Sequence, residues 1–159
     1  MFYHHSNPNA PFKCPIDRKF RIHAVASPGL LANPIRVDDE SRPCLIVGKD
    51  GTATGLTFGR YAGLESFVCD SNGVESVALG FYNRGKWGDR KFAAFADKGD
   101  SGALLWDGDG HAVGQLHSAQ FKDSASSCYI AYATPAWWLM ERIKLQFPNA
   151  VFFRDTWSA

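Results

Sequence analysis

Lys98-Gly99-Asp100-Ser101-Gly102 is the stretch on which the reading of this chain turns. Before it lies a mixed apolar run, Lys91 to Ala96, and after it Ala103-Leu104-Leu105-Trp106, a short strand-like run. A serine flanked by glycines between two strand patterns reads as a side chain held out on a tight turn. The glycines permit backbone conformations that a Cβ resists. The same turn lets the N–H groups of Gly99 and Ser101 converge beside the Ser101 hydroxyl, as in an oxyanion hole next to a nucleophile. Gly, Asp and Ser are also ordinary turn residues. The flanking sequence decides between the two readings.

The 159 residues suffice for one domain with a real core. Hydrophobic residues make up 45% and charged residues 21%, the composition of an ordinary globular chain. A formal net charge of +1 gives no pull towards nucleic acid or an anionic membrane. The four cysteines, Cys14, Cys44, Cys69 and Cys128, show no Cys-x-x-Cys spacing, so no zinc site is read, and no cofactor motif is present. The opening residues, Met1 to Pro8, show neither a basic nor an apolar leader region. These features predict an intracellular protein with reduced thiols, no membrane span and no nucleic-acid partner.

Outward from the serine turn the texture is β. Cys44 to Val47, Thr52 to Arg60, Leu64 to Cys69 and Val74 to Tyr82 read as strands upstream, the second glycine-punctuated like a bent barrel strand. Downstream, Leu104-Leu105-Trp106 and His111 to His117 read as a hairpin joined by Asp107-Gly108-Asp109-Gly110. Those acidic residues do not form a calcium loop, because the downstream glutamate is missing. Cys128 to Ala133 is a last strand. Thr134-Pro135 then predicts a helix, threonine as N-cap and proline at the first helical position, running over about 135–146. Ala136, Leu139, Met140 and Ile143 supply its apolar face. Residues 1–42 are proline-rich, with one strand-like run over Lys19 to Val25, and read as an extended N-terminal arm. Residues 43–159 form the β domain with its helix.

This order of elements resembles the second, C-terminal barrel of chymotrypsin- and trypsin-like serine peptidases. There Gly-Asp-Ser-Gly carries the nucleophile and is followed by a hairpin, a last strand and a helix. Val47-Gly48-Lys49-Asp50-Gly51-Thr52-Ala53-Thr54-Gly55-Leu56-Thr57 is also similar to the V-x-K-x-G-x-T-T-G-x-T opening of that barrel, with Ala53 the one departure. That form belongs to divergent, intracellular-type trypsin-like proteins, many of them fungal. The resemblance covers about residues 43–146. It implies an all-β fold: a single six-stranded antiparallel Greek-key barrel, half of the two-barrel fold, with a C-terminal α-helix. It further implies Ser101 as nucleophile, the N–H groups of Gly99 and Ser101 as oxyanion donors, and Asp100 as support of that loop. Phe95, six before the serine, falls where the floor of the primary specificity pocket lies. Because neither Phe95 nor Ala96 is acidic, a preference for Lys or Arg in that pocket is not implied. Leu116-His117-Ser118 falls on the substrate-pairing strand edge, where a peptide adds as an extra strand.

A serine needs a base to take its proton, and the base needs an orienting group. In the resembled family both come from the first barrel, and 42 residues are too few for one. Residues 1–42 are then an arm or the remnant of that barrel. Two histidines are candidate bases. His23 precedes Asp38 and Asp39, which keeps His-Asp-Ser order, and His117 lies on the cleft strand. His111, His4 and His5 read as exposed. Two functions follow. One is peptide-bond hydrolysis by acyl transfer through Ser101 where a complete His/Asp/Ser site exists. The other is an inactive half-protease that binds peptide or protein segments, or a subunit completed by a partner chain. Trp137-Trp138 reads as one core ring and one ring over the barrel end, and a surface left bare by a missing barrel would invite a partner.

Overall fold

The structure is a computed structural model and describes residues 20–38, 40–69, 72–83, 94–121 and 128–153. Alternating apolar residues and glycine-broken β-branched runs give seven strands among these. They are β1 (Ala24–Val25), β2 (Ile46–Gly51), β3 (Gly55–Cys69), β4 (Glu75–Asn83), β5 (Leu104–Asp107), β6 (His111–Phe121) and β7 (Cys128–Pro135). Two helices accompany them, α1 (Pro28–Ala32) and α2 (Ala136–Gln146). β2 pairs with β3, β3 with β4, β4 with β7, β7 with β6, β6 with β5, and β5 with β2 again. All six pairings are antiparallel, so the sheet closes into a barrel and leaves no continuous open edge. The chain goes round as β2-β3-β4, then crosses so that β5 lies beside β2. That crossing is the expected Greek-key order.

The barrel is filled by Val47, Leu79, Phe81, Leu105, Val113, Leu116, Ala131 and Ala133, all buried. Side chains alternate across a strand, so Lys49 points to the same side as Val47. Its side chain is fully buried, which the sequence pattern does not foretell. Bulges occur between Tyr61 and Glu65 on β3 and between Leu116 and Ser118 on β6. Each adds residues on one strand and bends it. Gly63, at φ +79°, lies inside the first. In and beyond that bulge the β3–β4 hairpin leaves Leu64, Phe67, Val74 and Val77 exposed.

Several expectations need correction. The strands read at Thr52 to Arg60 and Leu64 to Cys69 are one strand, β3, continuous through its bulge. Of the run before the serine turn, residues 94–96 are not a strand, and residues 91–93 lie outside the described residues. Within residues 20–38 the expected strand-like run carries β1, but the segment is not a plain extended arm, because a helix follows it. β1 runs parallel to β6, and α1 follows, with Ser27 accepting from the Leu30 N–H and proline at the first turn. Ala26 and Leu31 are buried in the barrel core, so this segment is held by packing. Thr134 is not the N-cap of α2. It pairs with Gln115 inside β7, and the cap position falls to Pro135. Ala136 is buried, but Ile143 of the expected apolar face is exposed. Cys44, buried, and Cys69, exposed, are not joined to each other, while Cys14 and the Cys128 side chain lie outside what is described. No described helix is long and apolar enough to cross a membrane.

Close packing at one strand crossing gives a test. A Cβ on Gly48 would overlap the Trp106 ring, which also contacts Phe58 and Phe20. Gly48→Ala should lower unfolding stability by about 1–3 kcal/mol, the usual cost of overpacking. A urea titration reads this as a lower midpoint at unchanged slope.

Candidate functional site

Two β-turns in tandem build the serine loop, and they share Asp100. The Asp100 N–H donates to the Asp97 carbonyl (3.1 Å), closing the first turn. The Ala103 N–H donates to the Asp100 carbonyl (3.0 Å), closing the second. The third residue of each turn is a glycine with positive φ, Gly99 at +103° and Gly102 at +94°. A type II turn requires that combination, and a residue with a Cβ is strained there. Ser101 is therefore the second residue of its turn, an outer corner, and it is exposed.

The turns also decide which N–H groups stay open. A β-turn leaves the N–H groups of its two central residues without a partner inside the turn. The Lys98 N–H donates to the Asp97 carboxylate (2.7 Å), and the Gly102 N–H to the Leu116 carbonyl (2.7 Å). The N–H groups of Gly99 and Ser101 remain, with no acceptor among the described residues. They are the two donors expected from the sequence.

Asp100 points the opposite way from Ser101, into the barrel end. Its side chain is wholly buried and forms an ion pair with the equally buried Lys49, Nζ to Oδ2 2.9 Å. Oδ2 also accepts from the Thr54 hydroxyl (2.7 Å) and the Asp97 N–H (3.0 Å). Oδ1 accepts from the N–H groups of Ala53 (2.8 Å) and Thr54 (3.2 Å). The Lys49 ammonium donates in turn to the Thr54 hydroxyl (2.6 Å). Burial by itself pushes the Asp100 pKa up. The hydrogen bonds from Thr54, Lys49 and the backbone at Asp97 and Ala53 outweigh it and hold the carboxyl well below the usual range. The run Val47 to Thr57 thus forms a cradle around the loop. Gly51 leaves room for the Asp100 carboxylate, which its Cβ would overlap. Thr57 donates its hydroxyl to the Phe95 carbonyl (2.7 Å). The departure at Ala53 is harmless, because only its N–H is used. The sequence reading quoted Lys49, Gly51, Thr54 and Thr57 as a pattern and assigned them no role. The missed signal was a lysine two residues after Val47 on a core-facing strand.

The other expected site residues scatter. Phe95 is not a pocket floor: it is buried in the core, its ring 6.2 Å from that of Phe81 and against Gly59. The Leu116 side chain is core as well. Its backbone is already used, its N–H by the Ala103 carbonyl and its carbonyl by Gly102. His23 is not near Ser101. It sits beside Gly110 and His111, its Nε2 2.9 Å from the Asp109 carbonyl. The serine meets β6 at His117, six residues further on, about 20 Å at ordinary strand rise. Asp38, offered as its partner, instead pairs with Arg42 and Arg60. His111 is not exposed but half-buried, bonded through Nδ1 to Asp107 (2.7 Å), whose carboxylate also closes the hairpin turn. His4 and His5 lie outside the described residues.

His117 and Ser118 do lie beside the serine. His117 is the extra residue of the β6 bulge, between Leu116 paired with Ala133 and Ser118 paired with Tyr132. The Ser101 hydroxyl donates to the His117 carbonyl (3.3 Å), not to its ring. The ring contacts Ser118 instead, Nδ1 to Oγ 2.9 Å. Partial burial pushes the His117 pKa below that of an ordinary histidine. Among the described residues, no histidine ring is bonded to Ser101. His117 also lines a cleft of about 470 Å³ with Glu65, Glu75, Val77, Trp137 and Trp138.

Removing the charge of Asp100 tests the cradle. Asp100→Asn leaves the Lys49 ammonium buried without its counter-charge and should cost about 3–5 kcal/mol at pH 7. The Asp100 pKa is depressed on folding, so its contribution is present above the unfolded carboxyl value of about 4 and is lost as pH falls below it. Urea unfolding from pH 7 to 3 should show a steeper acid loss in the parent than in Asp100→Asn.

The chain matches no protein-family model and no curated protein.

Proposed function

We propose that this barrel carries the nucleophile half of a serine-peptidase-type site, cleaving peptide bonds by acyl transfer through Ser101 once a base is supplied. One observation carries the reading: a fully buried carboxylate and ammonium fix a loop that presents an exposed serine beside two unengaged N–H groups. In the reaction, Ser101 Oγ adds to the peptide carbonyl carbon while its proton passes to the base. The carbonyl oxygen takes the electron pair and is met by the Gly99 and Ser101 N–H groups. The amine leaves with the proton, and water then releases the acid by the same route. Among the described residues the Ser101 hydroxyl is bonded to a carbonyl, so the reaction needs a base that is brought to it.

A second observation favours peptide as the ligand. β5 pairs with β6 only as far as Gln115, and beyond Leu116 no described strand covers that edge. An extended peptide can add there, beside Ser101. The same edge serves the alternative reading, in which the barrel binds segments without cutting them.

Fluorophosphonate labelling of the full chain separates the two. In the acyl-transfer reading the probe forms a slow adduct at Ser101, located by peptide mass spectrometry, because two donors remain when the base is missing. Ser101→Ala and urea-unfolded chain should give none. Adducts spread over several serines, or absent from Ser101 at saturating probe, would leave the binding reading alone.

A further inference from the structure

Two apolar faces of the chain are left exposed. The first is on the β3–β4 hairpin. Phe67 pairs with Val77 and Glu65 with Leu79, so these residues share one face of the ribbon. Leu79 is fully buried in the barrel, and the ribbon therefore carries the core face outward, past the point where the barrel covers it. There Phe67 is 68% and Val77 45% exposed. Glu65 and Glu75 flank that pair on the same face. The second face is on α2. The helix is anchored at its start, where Ala136 is buried, and lies against β6 and β7. From Glu141 to Asn149 every residue is exposed, so its last turns project from the barrel. Ile143 and Phe147, one turn apart, make an apolar stripe there, 40% and 67% exposed. Arg142 and Lys144 stand on either side of that stripe.

We infer that the two faces meet between two copies of this chain. The projecting turns of α2 of each copy lie on the β3–β4 ribbon of the other, about a two-fold axis. This dimer does not rest on the acyl-transfer reading.

Charge selects the occupant. Glu65, Glu75, Arg142 and Lys144 form no ion pair among the described residues, so the two faces do not satisfy each other within one chain. An apolar strip edged by carboxylates complements an apolar strip edged by cations, and one chain carries both. A two-fold interface uses each of them twice. A foreign partner would have to match two faces of opposite charge. Arg142 is already stacked on the Trp138 ring at 5.1 Å, which fixes the guanidinium and leaves its edge donors for a carboxylate. The size is also right. With their charged flanks the two faces offer on the order of 800 Å² per copy, which is what one partner of a stable interface buries. Each element gains from the contact as well. A two-stranded ribbon is marginal in water without a face to pack on, and so are helix turns without tertiary packing.

The test is the oligomeric state of the full chain, by sedimentation velocity over about 1–100 μM, the weak end of the affinities seen for interfaces of this size. A concentration-dependent dimer is expected, and added NaCl should weaken it. Glu65→Lys/Glu75→Lys and Arg142→Glu/Lys144→Glu should each raise the dimer dissociation constant at least about tenfold, because like charges then face each other in both contacts. Mixed in equal amounts, the two reversed chains should recover the dimer, since every hairpin then meets a helix of opposite charge. One chain with all four substitutions should recover it too. All four residues are exposed, and recovery on mixing shows that both variants are folded. A monomer throughout that range, which would leave the faces to a different protein, overturns the proposal. So does a dimer indifferent to both reversals, or reversed chains that stay monomeric when mixed.

Discussion

The buried pair of Lys49 and Asp100 is the constraint from which the serine loop takes its shape. Taking two charges out of water costs several kcal/mol each, and an ion pair seldom recovers more than that. Well-packed apolar residues would stabilise the barrel at least as well. What the pair adds is direction. Asp100 can satisfy five donors only with its carboxylate at the mouth of the barrel. With Asp100 pinned there, the next residue in each direction must turn outward, and the positive-φ glycines allow it. The exposed serine and its neighbouring N–H groups follow from a charge placed in the core.

β6 connects the parts of the molecule. Its first residues pair with β1 and β5, and its later ones with β7 alone. At the change-over it meets the serine loop through Leu116 and the bulged His117. A bulge there leaves the His117 carbonyl facing Ser101 while Leu116 stays in the core. The strand that closes the barrel is thus also the strand that offers a peptide edge.

The surface above the barrel behaves differently from the core. The outer part of the β3–β4 hairpin exposes apolar side chains, and Leu145 of α2 and Phe147 just after it are exposed. A two-stranded hairpin is marginal in water without a face to pack on. The cleft lies where this hairpin approaches the start of α2 and His117 of β6.

The sequence by itself determined most of the strands, the C-terminal helix and the serine turn, while closure into a barrel was what the resemblance implied and is seen in the pairing of β5 with β2. The first three depend on local signals: period-two alternation, glycine where φ must be positive, and Asp-Gly at the hairpin. Ser27-Pro28 carried an equally local helix signal that the reading passed over amid the surrounding prolines. Tertiary structure alone decided the rest. Lys49 meets Asp100 across 51 residues of sequence, and no local pattern marks a core lysine as paired. Phe95 and Leu116 went to the core because barrel closure turned them inward. His23 went to the far end because β1 joins β6 at His111 and not at His117. Which side chains reach a serine depends on strand register and on bulges. A shift of one residue reverses the face of every side chain, and the sequence does not spell that register out.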